Sequence, residues 1–180
     1  MEIYRKVMVP LDGSELAECV LSHVKALAAV SHPGGITFVR VVEPFSLPTV
    51  TGFDISADMV QRIEDEQRSQ AEKYLQRIIE RFDKDSVSTR AELLYGFAAE
   101  ALADYASKNA VDLIVIATHG RSGISRWVWG SVADRLLRSA CAPIMMVRAP
   151  GSAPECPPQE KASSAPKSPR GRDETLKETV

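Results

Sequence analysis

Chemistry concentrates in one stretch, Ala117-Thr-His-Gly120-Arg-Ser-Gly123-Ile-Ser-Arg-Trp-Val-Trp-Gly130-Ser131. An unbroken apolar run, Leu113-Ile-Val-Ile116, precedes it. Val132-Ala-Asp-Arg-Leu-Leu-Arg138 follows, with apolar residues at helical spacing. A strand, a glycine-bearing loop and a new helix start therefore stand in sequence. That order aims unpaired backbone N–H groups at the crevice beyond the strand, where the natural occupant is a phosphate. Gly120 and Gly130 would let the main chain close on it. The Gly130, Ser131 and Val132 amides would face its charge, Ser131 Oγ would donate a further hydrogen bond, and Arg121 could pair with it. A second chemical group, Asp12, sits in the turn Asp12-Gly13-Ser14 at the end of another apolar run. His119 has neither a nucleophile elbow nor a triad partner beside it and reads as a loop hydrogen-bonder.

The flanking elements alternate. Tyr4 to Pro10 carries Val7-Met8-Val9, a buried strand that Pro10 closes. Ser14 suits an N-cap, and Leu16, Val20, Val24, Leu27 and Ala28 predict a helix over 15–30, stopped by Pro33-Gly34-Gly35. Ile36 to Val42 is a β-branched second strand. After a loop over 44–56, long enough to cover a site, the spacing predicts a long charged helix from Ala57 to Phe82 with one apolar face. A third strand over 87–94, a helix over 97–108, the Leu113–Ile116 strand, a helix over 131–139 and a last strand over 144–147 complete the series. Such alternation predicts an α/β, doubly wound parallel sheet with helices on both faces. Ligands of such sheets sit beyond the carboxyl ends of the strands where the winding reverses. Asp12 and the 117–131 loop both lie at such ends.

At 180 residues and 44% apolar content the chain can build one core with an appendage. The domain is read as residues 1–148. Residues 149–180 hold six of the eleven prolines and five charges of each sign, with almost no large apolar side chain, and are expected to form a disordered tail. A net charge of −2 gives no footprint for nucleic acid, and no apolar run approaches the roughly 20 residues of a membrane helix. Cys19, Cys141 and Cys156 are odd in number and widely spaced, which fits no disulfide framework or zinc site and predicts a reducing cytosol. Cys19 and Cys141 are expected as small core residues. Trp127 and Trp129 suit packing or an interface rather than base stacking.

The spacing Ala117-x2-Gly120-x9-Gly130-Ser131 resembles the G-x2-G-x9-G-[S/T] nucleotide signature of the universal stress protein family, in particular its ATP-binding branch. Val9-Pro10-Leu11-Asp12-Gly13-Ser14, Val39-Arg40-Val41 and Cys141-Ala-Pro-Ile-Met-Met-Val-Arg148 resemble its first, second and closing strands, in family order. The resemblance implies five parallel strands in the order 3-2-1-4-5, a homodimer, and an ATP site with Mg²⁺. It implies that Pro10 and Val41 form the adenine slot, that Leu11 belongs to the nucleotide-binding set, and that Asp12 accepts from the ribose hydroxyls or reaches the Mg²⁺ of Mg-ATP. Ala117, His119, Gly120, Arg121, Gly130, Ser131 and Val132 would surround ribose and phosphates. The signature's first glycine is Ala117 here, the one feature favouring a competing reading: a member without nucleotide that acts as a dimeric scaffold. No carboxylate is poised to activate water against a γ-phosphate, so the expectation is a regulator or switch with an unidentified protein partner, not an enzyme. An adenylyl-transferring enzyme would resemble S-G-G-x-D-S after the first strand, where Asp12-Gly13-Ser14-Glu15 stands. Ile144-Met145-Met146-Val147 is apolar on both pleat faces and would be an edge in the implied order, which invites pairing of two copies.

Overall fold

The computed structural model describes residues 4–31, 33–44, 56–82, 87–118 and 131–148. Its elements are β1 (Lys6–Pro10), a single 3₁₀ turn (Ala17–Cys19), α1 (Val20–Ser31), β2 (Gly35–Val42), α2 (Ala57–Phe82), β3 (Thr89–Tyr95), α3 (Ala98–Lys108), β4 (Leu113–Thr118), α4 (Ser131–Ser139) and β5 (Ile144–Arg148). All strand pairs are parallel and the order is β3-β2-β1-β4-β5. The chain winds outward from β1 to β3, then returns to the other side of β1 for β4. The carboxyl ends of β1 and β4 therefore flank the reversal.

Period-two alternation sorts the strand residues into two layers. Val7, Val9, Ile36, Phe38, Leu113 and Val115 meet Val20 and Val24 of α1 and Leu75, Ile78 and Phe82 of α2. Met8, Val39, Ile114 and Ile116 meet Leu102 and Ala106 of α3 and Ala133 and Leu136 of α4. Phe38 and Phe82 pack with ring centroids 4.9 Å apart at 60°, a tilted arrangement favourable to aromatic quadrupoles. Asp112 anchors the start of β1, accepting from the Arg5 and Lys6 amides at 2.8 and 3.0 Å.

The largest displacement of a helix boundary has a local cause. The helix expected from residue 15 begins as α1 only at Val20, because Ser14 Oγ accepts from the Ala17 amide at 3.1 Å and the next turn is 3₁₀. Leu16, not Ser14, stands at the N-cap of that turn, and the Ser14 hydroxyl instead ties the preceding turn to its first residue. A second correction concerns Cys141, which is exposed in the bend between α4 and β5 rather than in the core, while Cys19 is partly buried against the α1/α2 layer. The 149–180 tail, the covering loop from residue 45 to 55, Trp127 and Trp129 lie outside the described residues.

Candidate functional site

At the reversal, the end of β1, the neighbouring end of β2, the end of β4 and the starts of α3 and α4 enclose a cavity of about 290 Å³. Pro10, Leu11, Asp12, Val41, Ala117, Ser131 and Val132, seven of the expected site residues, all line it. His119, Gly120, Arg121 and Gly130 lie outside the described residues. Sequence reasoning missed Ala17, Val39, Ala98, Leu102, Ile116 and Ala133, which complete the wall. Strand alternation carried the signal for two of them, since Val39 shares a pleat face with Val41 and Ile116 faces the α3/α4 layer.

The walls are mostly apolar, with polar groups at the rim. Leu11 and Val39 are buried, and Val41 is partly buried. Asp12 is the one carboxylate in the lining. Its Oδ1 accepts from the Ser14 amide at 2.9 Å and from Ser14 Oγ at 2.6 Å. The carboxylate is thus fixed by its own turn, as the side-chain preferences of Asp lead one to expect. Gly13 makes that turn possible with φ +85°. Opposite, Ser131 is exposed as the first residue of α4, whose leading amides have no partner within the helix. Their partial positive charge faces a crevice that also holds a serine hydroxyl.

The orientation of Ala117 bears on how the site works. Ala117 packs with the α1/α2 layer, whereas its neighbour Ile116 packs with the α3/α4 layer that forms most of the cavity wall. Ala117 therefore sits at the carboxyl edge of the sheet between the two, lining the cavity while it packs against the α1/α2 layer. Among the described residues no group of three or more His, Cys, Asp or Glu side chains is placed to hold a metal ion. No helix among the described residues is long and apolar enough to cross a membrane.

Fold and site together define a doubly wound α/β domain with a largely apolar cleft and a helix N-terminus at its switch point. The model of the Universal stress protein family matches residues 3–148, and the chain belongs to that family. It is similar to Universal stress protein MJ0531 of Methanocaldococcus jannaschii, 28% identical over 151 residues that cover 82% of this chain and 84% of the relative. It is also similar to a crystal structure from the family in Burkholderia pseudomallei, at TM-score 0.64, 30% identity and coverage of 82% and 98%. Two more distant folds carry ligands. One is a universal stress protein in complex with cAMP, at TM-score 0.59, 18% identity and coverage of 81% and 98%. The other is an Arabidopsis thaliana family protein with AMP bound, at TM-score 0.57, 14% identity and coverage of 82% and 93%.

Proposed function

We propose that the domain binds ATP, with Mg²⁺ carried on the triphosphate, and serves as a dimeric cytosolic stress-response regulator whose nucleotide occupancy decides what it contacts. The observation that carries this reading is the cavity itself, which joins an apolar slot (Pro10, Leu11, Val41) to an acidic rim group (Asp12) and a helix start (Ser131, Val132). Adenine would enter the slot, Asp12 would meet the ribose hydroxyls or the Mg²⁺, and the α4 amides would face the phosphates, with His119, Gly120, Arg121 and Gly130 closing over them. The AMP and cAMP carried by distant relatives share that adenosine. A single carboxylate already held by Ser14 makes a poor activator of water, so hydrolysis is at most slow. Free thiols at Cys19 and Cys141 suit a reducing compartment.

Isothermal titration of the full chain with Mg-ATP tests the reading. Saturation is expected in the parent and loss of heat in Val41→Trp, which fills the slot; absence of saturation at millimolar ATP refutes it. Ala117 in place of a glycine keeps one competitor in view, a nucleotide-free scaffold. An Ala117→Gly chain that binds ATP when the parent does not would establish that competitor.

The dimer is proposed along β5. This strand pairs only with β4 among the described residues and leaves Met145 36% exposed at the sheet edge, with Ile144, Met146 and Val147 continuing the apolar strip. Light scattering is expected to give twice the chain mass, and a monomer at micromolar concentration refutes the pairing.

A further inference from the structure

The opposite face of the sheet carries a second, larger concavity. It measures about 920 Å³ and lies where the Gly13 turn, the end of β2 and the middle of α2 meet, with Arg40, Lys73, Tyr74 and Arg77 in its wall. Strand alternation separates it from the cavity above. Arg40 and Val41 are consecutive in β2, so the guanidinium faces α2 while the valine faces the α3/α4 layer.

Three features distinguish this wall from an ordinary solvated helix face. Arg40 and Arg77 both lie over the ring of Tyr74, at 5.3 and 5.9 Å from its centroid. Tyr74 is only 5% exposed, so both guanidinium groups rest on one immobile ring. Among the described residues none of Arg40, Lys73 and Arg77 has a carboxylate within 4.0 Å, whereas the neighbouring Arg81 pairs with Glu18 at 2.5 Å. The lining holds three cations against one carboxylate, Glu72. Finally, the Tyr74 hydroxyl is buried beside Glu18 and makes no hydrogen bond of standard geometry among the described residues.

Like charges that line one concavity repel, and an anion among them offsets that repulsion. A guanidinium fork matches phosphate oxygens two at a time, and a lysine adds a point charge. Three positive charges match a diphosphate better than a lone carboxylate. We propose that this concavity is a second ligand site, on the sheet face opposite the nucleotide cavity, that binds a small diphosphate-class anion through Arg40, Lys73 and Arg77. The site stands whether or not the first cavity takes ATP.

The test is a ¹⁵N NMR titration of the full chain with inorganic pyrophosphate at low ionic strength and without Mg²⁺. Saturable shifts are expected at Gly13, Arg40, Lys73 and Arg77, weakening with added salt. Arg77→Gln and Lys73→Gln, both on the solvent side of α2, should each weaken binding about tenfold or more, as loss of a charge-assisted hydrogen bond does. Arg40→Gln should do the same, and its spectrum reports whether the turn at Gly13 is intact. Shifts confined to Ser131 and Val132, affinity unchanged in all three variants, or no saturation at millimolar pyrophosphate would each overturn the proposal.

Discussion

Replacing Gly13 by alanine isolates what the Asp12 turn requires. Two costs add. At φ +85° an L-residue sits in the left-handed region, which costs about 1–2 kcal/mol. A Cβ there would also overlap Arg40 Nη1 and stand 2.9 Å from Arg40 Cζ. The guanidinium must then leave the Tyr74 ring, forfeiting about 0.5–1 kcal/mol of cation–π attraction. Against these, alanine restricts the unfolded chain and returns about 0.4–1 kcal/mol. The net expectation is a loss of about 1.5 kcal/mol, or a fall in Tm of about 3–6 °C for a chain of this size. Urea denaturation of the parent, Gly13→Ala, Arg40→Ala and the double variant separates the two costs. With Arg40 already truncated only the backbone cost remains, so the alanine should be cheaper by about 0.5–1 kcal/mol in that background. Equal losses in both backgrounds would refute the steric argument, and a loss below about 0.3 kcal/mol would refute the backbone argument as well.

Two further outcomes follow from titration and exposure. Burial, then the charges of Glu18 and Asp12, push the Tyr74 phenol up from 10.0 to about 12, with Arg40 opposing. The unfolded chain therefore releases this proton first as pH rises. Stability is fully present below pH 10 and falls between 10 and 12, by about 2 kcal/mol from this group. Denaturation across that range should show the drop in the parent and a shallower one in Tyr74→Phe; parallel curves would refute it. For the cysteines, burial raises the Cys19 thiol while Cys141 is exposed, so iodoacetamide should label Cys141 before Cys19. Peptide mass spectrometry reads the order, and earlier labelling of Cys19 would contradict the placement.

What the sequence made legible was whatever repeats along one element. The apolar face of α2 follows helical spacing for seven turns, and both its ends, Ala57 and Phe82, coincide with the expected ones. The apolar runs of β1 and β4 and the start of α4 at Ser131 were legible for the same reason. Pro10, Leu11 and Val41 were legible only through a resemblance to a family, whereas Asp12 and Ala117 were already marked by their places at strand ends. The rest of the cavity wall was not, because Ala98, Leu102 and Ala133 are ordinary core residues of their helices. They become wall only when α3 and α4 are set side by side. Nor did spacing foretell the 3₁₀ turn at Ala17–Cys19, since one hydroxyl accepting from one amide leaves the apolar period unchanged.

The same limit explains why Arg40 escaped notice. Along β2 it interrupts an apolar run, Phe38-Val-Arg-Val-Val42, and in sequence it looks like the solvated face of a half-exposed strand. In three dimensions it is partly buried, laid on Tyr74, a residue 34 positions away on α2, and pressed against Gly13 from the turn after β1. Each partner has an independent reason to be what it is. Gly13 has a positive φ, and Tyr74 belongs to the apolar face of its helix. Together they leave one polar position on that side of the sheet beside the turn that carries Asp12. The next residue of β2, Val41, lines the cavity on the far side of the sheet. An anion that draws the Arg40 guanidinium away from Gly13 would relax the close contact behind the Asp12 turn.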